Sequence, residues 1–114
     1  MTTSEVQALV DTELVRIGDP GIVARIRRYL VSPYPVERYW DYGAKGERYT
    51  CWTVFEHLAS NSVIAYCDKG FGPKYPWGLL SHSGEYMTMG PDFGWYPSLK
   101  DAFLDSRATE GPAA

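Results

Sequence analysis

The first thirty residues carry their apolar side chains at helical spacing. Between Ser4 and Ile17, the positions Val6, Leu9, Val10, Leu14 and Ile17 recur close to every 3.6 residues, which predicts a helix capped by Thr3 or Ser4. Gly18 stops it. Asp19-Pro20, a capping residue followed by a proline suited to the first helical position, starts a second helix toward Leu30. Its apolar face is Ile22, Val23, Ile26, Tyr29 and Leu30, and Pro33 and Pro35 are expected to end it.

From Val36 the period changes to two, and β-branched and aromatic residues dominate, as in strands. Strands are expected at Val36–Tyr42, Arg48–Leu58, Ser62–Asp68, Gly78–Ser81 and Tyr86–Met89. Gly43 to Gly46 reads as a hairpin loop, Ala59 to Ser62 as a turn, and Ser83-Gly84 as the last turn. A short helix follows Pro97, with Ser98 as cap, Asp101 at the third helical position, and Leu99, Ala102 and Phe103 facing the sheet. The pattern predicts an α+β fold: two N-terminal helices, a five-stranded antiparallel meander sheet and a short C-terminal helix. Residues 1–108 are read as a single domain and 109–114 as a flexible tail.

Composition narrows the functions. The chain has 114 residues, 45% hydrophobic and 15% aromatic, enough for a packed core without staples. Eleven basic against fourteen acidic side chains leave a net charge of −3, which disfavours nucleic acid or an anionic membrane and suits a basic partner. The N-terminal run mixes acidic with apolar residues, unlike a signal peptide, and no apolar stretch reaches membrane-spanning length. The expected location is the cytoplasm, where the two cysteines are reduced thiols.

Candidate chemistry is sparse. Cys51 and Cys67 fall on neighbouring expected strands at comparable distances from their turn. A cross-strand disulfide or a shared metal is geometrically open to them, beside the reading as ordinary core thiols. A metal would need His57 or His82 as well, and no CxxC spacing is present, so neither metal nor cofactor is expected. Glu56 and His57 are adjacent on a strand and point to opposite faces, so they cannot pair by adjacency and only a cross-strand partner could give His57 an acid. His82 lies between two turn serines. GFGPKY at Gly70 to Tyr75 lacks the third glycine of a phosphate loop, and Pro73 removes an amide. Arg16, Arg25 and Arg28 form at most a small basic patch, read as a solvated helix face.

Rings are the strongest signal. Tyr39, Trp40, Tyr42, Tyr49, Trp52, Phe55 and Tyr66 alternate along the expected strands, so aromatic side chains must appear on both faces of the sheet. The helices cover one face. The other is either an aromatic binding surface or is buried under the glycine-, proline- and ring-rich segment 70–97.

WTVFEHLASNSVIAYCDKGFGPKYPWGLL followed by GPDFGWYPSLKDAFLDS resembles small bacterial proteins of the immunity-protein kind over roughly residues 36–105. The resemblance rests on aromatic, glycine and proline placement and carries over no active-site residues. It implies a protein-binding module that neutralises a co-encoded toxin by direct binding. Tyr75, Trp77, Trp95 and Tyr96 are the expected ring contacts and Asp92 the carboxylate that meets a basic toxin domain. The alternative is a small hydrolase or transferase using Cys51 or Cys67 with His57 or His82. A ligand-binding subunit of a larger complex is a third reading.

Overall fold

A computed structural model describes residues 1–88 and 93–109. Helix α1 (Thr3–Ile17) starts one residue earlier than expected. Thr2 is its cap, and Thr2 and Glu5 exchange side-chain and backbone hydrogen bonds in a capping box. Gly18 ends it in the left-handed region at φ 72°, where a Cβ would be strained. Helix α2 (Pro20–Arg27) follows, with Asp19 Oδ1 accepting from the amides of Gly21 and Ile22.

Five strands then form an antiparallel meander in sequential order: β1 (Leu30–Tyr39), β2 (Arg48–His57), β3 (Ser62–Tyr66), β4 (Trp77–Ser81) and β5 (Gly94–Tyr96). Helix α3 (Leu99–Asp105) follows the sheet, with Ser98 Oγ accepting from the Asp101 amide as the sequence pattern predicts.

Three expectations are corrected. Helix α2 stops at Arg27, so Leu30, expected on its apolar face, instead begins β1, which was expected at Val36–Tyr42. Pro33 and Pro35 lie inside β1 and do not form a break before it. The strand tolerates them because it is a sheet edge with a register irregularity between Leu30 and Tyr34, so missing amides there break no ladder on both sides. The fifth strand is Gly94–Tyr96, not Tyr86–Met89. Tyr86 makes one parallel bridge to Tyr39, and Met89 lies outside the described residues. Residues 82–88 instead form a strap over the sheet from β4 to the free edge of β1. There Tyr39 N–H donates to Glu85 O at 2.8 Å and Met87 N–H donates to Tyr39 O at 3.0 Å. Residues 110–114 of the expected tail also lie outside the described residues, whereas Thr109 ends a 3₁₀ turn, Arg107–Thr109, and its hydroxyl donates to Ser106 O.

Strand alternation divides the core in two. On the helix side Val6, Val10 and Leu14 of α1, Ile26 of α2, and Leu99, Ala102 and Phe103 of α3 pack on Phe55, Ile64, Trp77 and Leu79. On the strap side Cys51, Val63, Ala65, Cys67, Leu80 and Met87 form a smaller cluster bordered by Trp40, Tyr49 and Trp95. A bulge between Thr53 and Phe55 puts Val54 as well as Phe55 in the helix-side core.

Candidate functional site

The rings that reach solvent gather at one end of the sheet. The β1–β2 loop, residues 40–47, and the β3–β4 loop, residues 67–76, both leave from that end. Phe71 lies edge-on to Trp40 at 5.0 Å between centroids, and Tyr42 packs against Trp40 at 5.2 Å and Phe71 at 5.9 Å. Trp95 stands 6.0 Å from Phe71 and joins the cluster to the sheet. Tyr42 is 68% exposed and Phe71 40%, while Trp40 beneath them is half-buried. Edge-to-face packing of this kind adds about 0.5–1.5 kcal/mol per pair beyond area burial and fixes the ring orientations.

Local sequence explains the placement. Gly70 turns the chain at φ +63°, and a Cβ there would approach Met87 Cε to 3.0 Å and Trp40 to 3.1 Å, so this position joins the loop to the strap and the indole. The loop ends where Cys67 N–H donates to Pro76 O at 2.9 Å.

The expected partner contacts fall in different places. Tyr75 is exposed in the 67–76 loop. Trp77 is only 3% exposed and packs against the Tyr66 ring at 5.0 Å in the helix-side core, so it offers no face to a partner. Tyr96 also lies on the helix side, where its hydroxyl donates to Asp105 Oδ2 at 2.8 Å; burial and that carboxylate push its ionisation up to about 12. Trp95 is half-buried on the strap side and donates its indole N–H to Met87 O at 2.7 Å. Asp92 lies outside the described residues. Tyr42 and Phe71 were not among the expected contacts. The signal for them is local: each ring sits next to glycine in a turn and so cannot be buried by strand alternation.

The cysteines and histidines are separated. Cys51 and Cys67 lie near the ring end of the sheet and both are free and buried. His57 closes the opposite end of β2, six residues from Cys51, roughly 20 Å at the strand rise. His82 follows Ser81, which faces Ser62 at that same far end. The Cys–His pairing of the enzyme reading is therefore not assembled. As alternation requires, Glu56 and His57 face opposite ways: the His57 ring stands edge-on to Tyr29, while Glu56 turns to the strap side. Glu56 Oε2 accepts from Tyr34 Oη at 2.5 Å and lies 3.6 Å from His82 Nε2. Burial first, then Glu56, raises the Tyr34 phenol, so that group keeps its proton near neutrality. His57 Nδ1 meets Ser60 Oγ at 2.6 Å, and Ser60 Oγ bonds Ser62 Oγ at 3.0 Å, within the 3₁₀ turn Leu58–Ser60.

Beside the ring cluster, on the helix side of the sheet, a cavity of about 410 Å³ is lined by Trp52, Tyr66, Thr50, Arg48, Lys69 and Cys67, among others. Its cations and the nearby Glu37 and Asp68 give it no single sign of charge. Among the described residues no three His, Cys, Asp or Glu side chains gather as a metal site, and no helix is long and apolar enough to cross a membrane.

Comparison with protein-family models, with curated proteins and with solved structures finds no match to this chain.

Proposed function

We propose that this chain is a cytoplasmic protein-binding module of the immunity-protein kind, which neutralises a bacterial toxin by occupying it. The observation that carries the reading is the exposed cluster of Tyr42 and Phe71 held edge-on to Trp40. Rings pre-oriented by their neighbours lose little freedom on docking, and Tyr, Trp and Phe dominate the centres of protein interfaces. Tyr75, exposed in the same loop as Phe71, extends the surface. The net charge of −3 suits a basic partner.

The test is affinity capture of the tagged protein from its organism of origin at moderate salt, beside a Tyr42→Ala, Phe71→Ala control that retains the fold. A stoichiometric protein partner lost in the control is the expected result, and protection of cells when the chain is co-expressed with that partner is expected of an immunity protein. A partner retained at full affinity by the control removes the ring cluster from the interface. Recovery of the chain alone overturns the binding reading.

A further inference from the structure

The 410 Å³ cavity beside the ring cluster joins an aromatic wall to charges of both signs. Strand register orders its lining. Trp52 of β2 faces Tyr66 of β3, and both rings pack on the helix-side core. Two residues nearer the loop, Thr50 faces Glu37 of β1, and its hydroxyl donates to that carboxylate. Arg48, two further, faces Tyr39 and lies over its ring at 5.7 Å. Positions 48, 50 and 52 share one face of the strand, so the indole stands at the core end of the cavity and Arg48 at the solvent end. Asp68 and Lys69, which follow Tyr66, complete the charged half.

Two features of this lining point to a ligand. Among the described residues Trp52 is the one tryptophan with neither a ring contact nor a hydrogen bond from its indole N–H: Trp40 and Trp77 have ring neighbours, and Trp95 donates to Met87 O. Its face and its donor are unused although it is half-buried. Arg48, Lys69, Glu37 and Asp68 likewise form no ion pair among the described residues, although all four border one cavity. Unpaired surface charges alone are ordinary; here they surround a half-buried indole with nothing against it.

We propose that this cavity binds a free amino acid with an aromatic side chain. The ligand's ring lies against Trp52 and Tyr66, its ammonium meets Glu37 and Asp68, and its carboxylate is held by Arg48 and Lys69. Ring on ring removes apolar surface from water, and each charged end finds a partner of opposite sign. A purely cationic ligand would set its charge against Arg48 and Lys69, and a purely anionic one against Glu37 and Asp68. One zwitterion satisfies both pairs. A side chain of a protein partner carries a single sign, so this site stands independently of what Tyr42 and Phe71 bind.

The test titrates the full-length protein with L-phenylalanine, followed by calorimetry and by the Trp52 indole N–H signal in NMR spectra. Phenethylamine, which lacks the carboxylate, hydrocinnamate, which lacks the ammonium, and L-alanine, which lacks the ring, are titrated beside it. L-phenylalanine is expected to saturate one site, to move the Trp52 indole signal most, and to bind roughly tenfold tighter than any of the three, the worth of one charge-assisted bond or one buried ring. Arg48→Ala should abolish its advantage over phenethylamine, and Asp68→Asn should reduce its advantage over hydrocinnamate. If either variant does not fold, the wild-type analogue series decides. Absence of saturable L-phenylalanine binding at millimolar concentration, equal binding of any one analogue, or shifts centred on Tyr42 and Phe71 in place of Trp52 would each overturn the assignment.

Discussion

Trp95 lies directly over Gly78, its partner on the neighbouring strand: a Cβ at position 78 would stand 2.7 Å from the indole ring. The bare backbone of β4 thus receives the ring, and the indole N–H is satisfied by Met87 O of the strap. Gly78→Ala is expected to cost about 2 kcal/mol through overpacking. In urea unfolding, Trp95→Leu should recover part of that loss when combined with Gly78→Ala. Additive losses would show that the two positions do not share this contact.

Arg38 is 1% exposed, and its Nη1 donates to Ser81 O at 3.1 Å and Gly84 O at 2.9 Å. These carbonyls begin the strap, so a cation of β1 fastens the segment that covers its own face of the sheet. The guanidinium has no carboxylate within ion-pair distance among the described residues, its Nε has no partner, and burial lowers its proton affinity. Arg38→Ala is expected to destabilise by about 3 kcal/mol and to speed hydrogen exchange at the Tyr39 and Met87 amides first. Lysine should not rescue it, because one ammonium cannot reproduce the planar fork. Unchanged exchange at those two amides would remove the fastening role.

Trp77 and Tyr42 should behave as opposites. Trp77→Ala empties the helix-side core and is expected to cost about 3–5 kcal/mol, whereas Tyr42→Ala should change stability by less than about 1 kcal/mol. Thermal melts of the two variants check this. The contrast also explains why Trp77 is unsuited to a binding test: loss of a partner would report loss of fold.

Tyr96 gives the fold an alkaline limit. Its ionisation is raised to about 12 by burial and by the Asp105 carboxylate, so between the ordinary phenol value near 10 and about 12 the unfolded chain releases a proton that the folded chain keeps. The stabilisation is complete below the unfolded value and is lost as pH rises through the folded one. Tyr34 and Tyr66 shift the same way, chiefly through burial. Urea midpoints measured from pH 8 upward should fall across this window, and Tyr96→Phe should flatten the fall; an equal fall in both proteins would exclude Tyr96 as a source.

The strand pattern errs where the chain leaves simple alternation. Tyr86 and Met87 have a strand-like composition, yet β5 forms instead at Gly94–Tyr96. Alternation reports that a segment has one buried face, and a strap pressed on a sheet has one too: Met87 is fully buried while Tyr86 is exposed. Pro33 and Pro35 look like breakers, but an edge strand does not need every amide. Trp40 and Tyr42 read as the end of a strand, whereas the loop carries both rings into the exposed cluster.

What the sequence by itself determined is local. The caps at Asp19 and Ser98, the stop at Gly18, the helical faces of α1 and α3, the first four strands and their antiparallel order follow from spacing and from residue geometry over a few positions. The neighbourhood of the two cysteines was legible in the same way, from comparable distances to a turn. Tertiary structure alone decided which rings are buried, since Trp77, Trp95 and Tyr42 differ in what covers them and not in their type. It alone joined Glu13 of α1 to the Leu99 amide at 2.8 Å, Arg38 to the strap, and Phe71 to Trp40. Those contacts connect residues far apart in the chain, and their energies depend on the whole packed arrangement, which no short window of sequence contains.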